Sequence, residues 1–211
     1  MKKVITIHVE TDEEKEEFLN ELQKTRLPTP IYVHGKLNSL RISIQGTKGD
    51  IKEASNMIAV IHGKVRAKFH PNRRGLYKYD LEELTGNIPT STLLTLLRIR
   101  GEKFEVDNSG KTLTTSVPWE EITGLVHELS NVMSSIAPET TRQIREVVLP
   151  VAVAFKVDPM DVIDALVDAG LAEWKEDKFK YELIKNKEQA LELVLKEDRF
   201  KYRHPKEGTG D

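Results

Sequence analysis

The stretch that decides the first part of the fold is LRISIQGTKGDIKEASNMIAVIHGKVRAKF, residues 40–69. Its first six residues alternate apolar and polar side chains, which predicts a half-buried strand. After Asp50, apolar residues recur at intervals of three and four, which predicts a helix packed on the same sheet. These apolar residues are Ile51, Ala54, Ile58 and Ile61. The alternation returns in residues 64–69, which predicts a basic strand with its cations on one side and its apolar side chains beneath.

The residues before this stretch complete a small module of sheet and helix. Residues 3–9 alternate as a strand does. Residues 11–14, Thr-Asp-Glu-Glu, have the spacing of a helix capping box. Glu13, Glu14, Glu16 and Glu17 at this helix start are expected to form a solvated face. Residues 31–37 and 40–45 alternate on either side of a turn and predict a hairpin. Residues 1–70 are therefore predicted to form a βαββα module that ends in the basic strand.

The rest of the chain is predicted to contain two winged-helix-like modules, residues 71–137 and 138–198, because helices there are followed by hairpins. An apolar stripe from Trp119 to Ile136 predicts one long helix that bridges domains or forms a dimer seam. Pro150 is expected to kink or end a later helix. The predicted fold class is α+β, with a basic flexible tail at residues 199–211.

Composition excludes several classes of protein. The 211 residues contain no Cys, which rules out thiol nucleophiles and cysteine-ligated zinc and fits a reducing cytoplasm. The longest apolar run, residues 147–155, is too short to cross a membrane. Phosphate loops, nucleophile elbows and dinucleotide-binding glycine patterns are absent, and the six His residues are scattered. The sequence therefore predicts no catalytic residue, no metal and no cofactor. The high share of charged residues is typical of thermophilic proteins.

A block of positive charge interrupts a chain whose net charge is only -2. Between Glu53 and Asp80 no acidic residue occurs. The cations of this block are Lys64, Arg66, Lys68, Arg73, Arg74 and Lys78. Unopposed cations attract phosphate backbones and gain affinity by releasing counterions. Tyr77 and Tyr79 would add stacking surfaces, and this mixture favours single-stranded or irregular RNA. An edge strand protected by lysine is the structural alternative.

Three further residues are candidate nucleic-acid contacts. Lys48 lies in residues 46–49, Gly-Thr-Lys-Gly, a sequence similar to the GxxG loop of KH domains, although here the loop joins a strand to a helix. A plain connecting turn is the alternative. Arg98 and Arg100 lie on the predicted recognition helix of the first winged module, where they would contact duplex DNA. The many leucines of that helix favour core packing instead.

Two stretches carry a resemblance to known families. Residues 40–69 together with VPWEEITGLVHELSNVM, residues 117–133, resemble an archaeal family classified as a domain of unknown function. The resemblance covers most of the chain and implies an archaeal lineage without an activity. Residues 40–61 are also similar to the small dimerising subunit of the archaeal KEOPS tRNA-modification complex. This second similarity implies a sheet able to pair across a two-fold axis.

These features favour a non-enzymatic protein that binds structured RNA, such as that of the ribosome, through residues 64–78 and Lys48. Three more residues are predicted on the open sheet face, where they would widen this surface or be covered by the rest of the chain. They are Tyr32, His34 and Arg41. The apolar stripe and the sheet edge also predict a homodimer that would join or silence ribosomal subunits. Two other classes stay open: a winged-helix transcription regulator that binds duplex DNA, and a scaffold that binds only protein.

Overall fold

The computed structural model describes residues 1–197 and residue 200. It divides the chain into two compact units, Met1–Lys78 and Tyr79–Asp211. Both units contain helices and small sheets, so the predicted α+β class is confirmed. A further division of the second unit at residue 137 stays a prediction. Of the predicted tail, residues 199–211, only Phe200 is described, and it is buried. In the part of the chain that is described, no helix is long and apolar enough to span a membrane.

The first unit has the predicted βαββα order. Its elements are β1 (Lys2–His8), α1 (Asp12–Lys24), β2 (Ile31–Lys36), β3 (Ser39–Gln45) and α2 (Lys48–Phe69). The strands form an antiparallel sheet in the order β1-β3-β2, so β3 is central and the other two strands lie at the edges. The turn between β2 and β3 is short, as the alternation of residues 31–45 predicted.

Both helices of the first unit cover the same face of the sheet. Ile42 and Ile44 of β3, Phe18 of α1 and Ile58 of α2 are fully buried in one apolar cluster. Burial of a side chain of this size stabilises the folded state by about 1.5–3 kcal/mol. Because successive strand residues point to opposite faces, Arg41 lies on the other face and is exposed. The packing therefore leaves one sheet face open.

The basic strand predicted at residues 64–69 is wrong, because α2 continues through these residues to Phe69. Val65 follows Ile61 by four residues and is fully buried, so it extends the apolar stripe of the helix by one turn. His70 caps the helix, and Pro71 follows it. A six-residue alternating run is compatible with a strand or with a helix end, and the packing of Val65 selects the helix.

The second unit contains two successions of helices followed by a hairpin, as predicted. The first comprises β4 (Tyr77–Asp80), which spans the unit boundary, α3 (Leu81–Thr85), α4 (Thr90–Ile99), β5 (Phe104–Val106) and β6 (Thr112–Thr115). The second comprises α5 (Trp119–Ile136), α6 (Arg142–Phe155), α7 (Pro159–Asp168), β7 (Ala172–Lys175), β8 (Lys180–Leu183) and α8 (Lys187–Lys196). The sheets have the orders β4-β6-β5 and β7-β8.

Helix α6 does not end at Pro150, whereas a kink at this residue stays a prediction. It continues through this residue to Phe155. A proline inside a helix removes one hydrogen bond and costs about 3 kcal/mol. Every residue from 147 to 154 is buried, and this packing offsets the cost. Burial in the core therefore overrides the local preference.

The long helix predicted at residues 119–136 is confirmed as α5, but its apolar stripe is not a free seam. Ile122, Leu125, Leu129 and Ile136 are buried. Helix α5 packs against α6 within the second unit. The stripe therefore belongs to the core of this unit, and it gives no support to a dimer seam.

Asp107 organises the turn between β5 and β6. Its carboxylate accepts hydrogen bonds from the backbone N–H of Thr112 (3.0 Å), from the Ser109 hydroxyl (2.8 Å) and from the backbone N–H of Lys111 (2.9 Å). These bonds to the charged form lower the pKa of Asp107 from 3.8 to about 2. Because the pKa is lower in the folded state, the charge stabilises the fold above pH ~4, and this contribution disappears as the pH falls towards 2.

Asp107→Asn is therefore expected to lower the free energy of unfolding at neutral pH and to have a much smaller effect at pH ~2. Urea unfolding followed by circular dichroism at a series of pH values measures this difference. Asp177→Asn, in the turn between β7 and β8, is the matched control, because that carboxylate makes no hydrogen bond within the described residues. If the Asp107→Asn and wild-type curves stay parallel over the whole pH range, the charge of Asp107 has no stabilising role.

Candidate nucleic-acid interface

The acidic residues of α1 face the basic end of α2. Glu14, Glu17 and Glu21 are separated by three and four residues and therefore share one face of the helix. Each contacts a basic side chain on α2 or at its cap. The pairs are Glu21 with Lys64 (3.3 Å), Glu17 with Lys68, and Glu14 with His70 (3.0 Å). Part of the predicted basic surface is therefore occupied inside the first unit by two lysine–glutamate ion pairs and by the Glu14–His70 hydrogen bond. We call these contacts the α1–α2 ion-pair row.

Lys68 is not available to a nucleic acid. Only 2% of the residue is exposed, and its ammonium group forms an ion pair with Glu17. A buried ammonium group is unfavourable unless it is paired, which explains why the acidic residues of α1 lie here. Glu14 is equally buried, and its carboxylate also accepts a hydrogen bond from the backbone N–H of Glu10 (2.7 Å). The prediction of a solvated acidic face is therefore wrong for Glu14.

Lys64 is half-exposed, but its charge is partly neutralised. Burial would raise the pKa of Glu21, but hydrogen bonds and charges from Lys24 and Lys64 outweigh it and hold the pKa below its ordinary value. Glu21 therefore stays ionised beside Lys64. The expectation that Lys64 belongs to an unopposed cationic surface is wrong.

The remaining cations of the block stay exposed. Arg66, on the last turns of α2, and Lys78, on β4, are exposed, as are Arg73 and Arg74 between them. None of these four side chains has an ion-pair partner among residues 1–197 and 200. The first unit as a whole contains 15 Lys and Arg against 9 Asp and Glu, whereas the second unit is acidic. The excess positive charge of the first unit therefore lies outside the ion-pair row.

Arg73 and Arg74 lie at the tip of an ordered turn, residues 72–76, which we call the arginine turn. The backbone N–H of Gly75 donates to the Asn72 carbonyl (2.9 Å), and the N–H of Asn72 donates to the Leu76 carbonyl (2.9 Å). The Asn72 side-chain oxygen accepts two more bonds, from the N–H groups of Arg74 (2.8 Å) and Leu76 (3.2 Å). Gly75 has a φ of +74°, which glycine adopts without strain. The backbone thus presents both guanidinium groups to solvent from a fixed position.

Lys48 is exposed, but the residues around it form a helix start. Thr47 and Asp50 make a complete capping box, in which the Asp50 carboxylate accepts from the Thr47 N–H (3.1 Å) and hydroxyl (2.6 Å). These hydrogen bonds hold the pKa of Asp50 below its ordinary value, so a negative charge occupies the place where a phosphate would bind. The geometry favours the connecting turn over a phosphate clamp. Lys48 is left as a peripheral cation.

Two residues of the second unit that were predicted to contact nucleic acid already have partners within the protein. The Arg100 guanidinium lies 2.6 Å from Glu121 and 3.7 Å from Glu102, so its charge is paired. Tyr79 is buried, and its hydroxyl donates to the Val117 carbonyl (2.8 Å). Neither Arg100 nor Tyr79 is therefore an exposed contact for nucleic acid.

Arg98 is exposed and lines a cleft of about 230 Å³ formed by α4, α6 and α8. The cleft contains Glu146, which binds Lys187 and Arg142. Burial would raise the pKa of Glu146, but hydrogen bonds and charges from Lys187 and Arg142 outweigh it and keep the pKa below its ordinary value. Helix α4 packs on α6 and buries three of its four leucines, as their number suggested. Arg98 is therefore at the rim of a packed helix and not on a free recognition helix.

Helix α7 precedes the β7–β8 hairpin, where the predicted second winged module would have its recognition helix, but its exposed face is acidic. Asp161, Asp164 and Asp168 all lie on this face. Like charges repel phosphate, so this face opposes contact with a nucleic-acid backbone. The geometry of both modules therefore gives little support to duplex-DNA binding.

Sequence reasoning found some residues of the open sheet face and missed others. Tyr32, His34 and Arg41 are exposed there, as predicted. His8 shares this face with His34, as the alternation predicted, whereas Lys2 and Lys36 also lie on it and were not singled out. The signal that identifies them is the composition of the strands, because β1, β2 and β3 contain no acidic residue.

Fold and charge together define an α+β protein with a basic first unit and an acidic second unit. The chain belongs to an archaeal family, since its residues 7–192 match the family described as "Uncharacterized protein conserved in archaea (DUF2067)". It is 27% identical over 199 residues to the "Uncharacterized protein MJ0388" of Methanocaldococcus jannaschii, covering 92% of this chain and 94% of that one. No solved structure matches the chain. The resemblance to an archaeal family is thus confirmed, and the similarity to the KEOPS subunit stays a prediction.

Proposed function

We propose that this protein is an RNA-binding protein that acts without catalysis, by occupying a phosphate-rich surface such as that of the ribosome. The observation that carries the proposal is the arginine turn, which holds the exposed guanidinium groups of Arg73 and Arg74 on an ordered backbone. A guanidinium group is planar and binds two phosphate oxygens at once. A backbone held by its own hydrogen bonds loses little entropy when these groups bind.

The charge distribution of the chain supports the same function. The excess of cations is confined to the first unit, while the second unit is acidic. A basic surface steers polyanions towards itself, and phosphate neutralisation supplies much of the affinity of a protein for nucleic acid. Arg66 and Lys78 flank the arginine turn along the chain and add to this charge.

The rival functions have less support from the described residues. A winged-helix regulator of transcription needs an exposed basic recognition helix, but α4 packs on α6, and the exposed face of α7 is acidic. A protein scaffold would bind an acidic protein partner through the arginine turn. The sedimentation test below distinguishes this function from RNA binding. A homodimer also stays a prediction, and the edge strand β2 is its candidate surface, because the apolar stripe of α5 is buried.

Sucrose-gradient sedimentation of native cell extract tests the proposed function. At low salt we expect the protein to sediment with ribosomes or ribonucleoprotein, and at high salt we expect it to move to the top of the gradient, because salt competes for phosphate. Ribonuclease treatment of the low-salt extract should release it as well. The proposal is wrong if the protein stays at the top of the gradient at both salt concentrations and purifies free of RNA.

A further inference from the structure

The open face of the first unit's sheet is a continuous surface built from three strands. The strand register places Tyr32 of β2, Ser43 of β3 and Val4 of β1 in one row across the sheet. The next row contains His34, Arg41 and Thr6 in the same strand order. A third row contains Lys36, Ser39 and His8. Rows on one face are about 6.6 Å apart along the strands, because alternate residues share a face.

This face carries positive charge with no carboxylate in any of its strands. Lys2, Lys36 and Arg41 are exposed, and they have no ion pair within the described ranges, residues 1–197 and residue 200. The helical layer of the same unit differs from this sheet face, because Lys64 and Lys68 there are paired with glutamates in the α1–α2 ion-pair row. An acid-free face of unpaired cations is complementary in charge to a phosphate backbone.

The face also offers flat surfaces for stacking. Tyr32 is 66% exposed, although an aromatic side chain usually gains stability from burial. His34 follows on the same face of β2, and Arg41 lies directly opposite His34 on β3. Aromatic rings, imidazoles and guanidinium planes all stack on unpaired bases, whereas a base pair in an A-form helix has its faces covered by its neighbours. The hydroxyls of Thr6 and Ser43 add hydrogen-bonding groups for base edges.

We propose that this sheet face binds single-stranded RNA, with one base on Tyr32, a neighbouring base beside His34 and Arg41, and the backbone neutralised by Lys36 and Lys2. The inference rests on the proposed function and extends it, because the arginine turn binds phosphate in any RNA, whereas the sheet face distinguishes a single strand from a duplex. A pleated sheet cannot enter the deep, narrow major groove of duplex RNA. The segment recognised is therefore an unpaired loop or end.

Fluorescence anisotropy with a labelled oligouridine of about 12 nucleotides, and with an RNA duplex of the same length, tests the inference. Tyr32→Ala is expected to weaken oligouridine binding about 10-fold and duplex binding less than about two-fold, because stacking on this ring requires an unpaired base. Tyr32→Phe should retain the affinity, since it keeps the ring. Phe179→Ala is the matched control, because Phe179 is an aromatic residue with 69% exposure in the second unit, and it should leave both affinities unchanged. Thermal unfolding of each variant verifies that the fold is intact.

The outcomes separate the two proposals. The inference is overturned if Tyr32→Ala leaves oligouridine binding unchanged, or if Phe179→Ala weakens it equally, while the wild-type protein still binds RNA. If the wild-type protein binds neither probe at low salt, the proposed function itself fails. A loss with Tyr32→Ala that is confined to the single strand, and is absent with Tyr32→Phe, supports the sheet face as the binding site.

Discussion

Replacement of Lys68 by alanine is expected to lower the free energy of unfolding by about 3 kcal/mol, although the side chain is charged. The reason is the carboxylate of Glu17, which is largely buried and which Lys68 pairs within the α1–α2 ion-pair row. Without the ammonium group this carboxylate loses a close opposite charge in a poorly solvated place. The removal of one partner of a buried ion pair is costly for this reason. Chemical denaturation followed by circular dichroism measures the change.

Two further variants test whether the unpaired buried carboxylate causes this loss of stability. Lys52→Ala removes an exposed lysine from the same helix and should change the stability by less than about 0.5 kcal/mol. The double variant Glu17→Leu/Lys68→Leu should be more stable than Lys68→Ala, because no buried charge is left unpaired. RNA affinity should be unaffected by Lys68→Ala, since the residue is buried. A loss of stability below about 1 kcal/mol would show that the ion-pair row is dispensable.

Charge reversal of the arginine turn, Arg73→Glu together with Arg74→Glu, is expected to weaken RNA binding about 100-fold at low salt. Both guanidinium groups are exposed and have no ion-pair partner among the described residues, so each is available for a phosphate. The loss of two phosphate contacts should also make the plot of log K against log salt less steep, by about 0.7–0.9 for each contact. Fluorescence anisotropy over a series of salt concentrations measures both quantities.

The matched control for this reversal lies in the second unit. Arg98→Glu together with Lys103→Glu changes the net charge by the same amount, and both side chains are exposed. RNA binding through the first unit predicts a change of less than about three-fold for this control, because neither residue belongs to the proposed phosphate contacts. Equal losses from the two double variants would indicate that only the net charge of the molecule matters. A larger loss from the control would favour the winged-helix reading.

Much of the fold was predictable because local patterns agreed with the packing. The alternation in residues 40–45 and the spacing of Ile51, Ala54 and Ile58 each describe one buried face, and the structure buries those faces. The cap at Thr11 was also recognisable, since its side chain accepts the bond from the Glu14 N–H (3.1 Å) at the start of α1. Local hydrogen bonds and one-sided burial depend on residues close together in the chain, so both can be predicted from the sequence.

The errors occurred where tertiary partners decided the outcome. Residues 64–69 fit the period of a strand, yet Val65 also continues the stripe from Ile61 by one helical turn. Glu14, Glu17 and Glu21 share one face of α1, but nothing in their spacing shows that this face meets a basic helix end. The cations appeared unopposed because their partners lie far away in sequence; Lys68 and Glu17, for example, are 51 residues apart. Whether a charged side chain is buried depends on its ion-pair partner, so it cannot be predicted from the segment that contains only one of the two residues.

The open sheet face was only partly recognised for a similar reason. Tyr32, His34 and Arg41 could be placed by alternation alone. Their significance depends on the order β1-β3-β2, which brings Lys2 and Lys36 onto the same surface from two different strands. Strand order is a long-range property, and an acid-free face becomes apparent only when three separate segments are placed side by side.

Salt-dependent binding of the wild-type protein to an RNA probe tests the central claim most directly. We expect measurable binding to a single-stranded RNA at about 50 mM salt, with log K falling linearly as log salt rises and with weaker binding to duplex DNA of equal length. The arginine turn and the sheet face together predict a slope of several units, because each neutralised phosphate contributes about 0.7 for a single strand. The absence of RNA binding at this salt concentration, or an affinity that does not change with salt, would contradict the account.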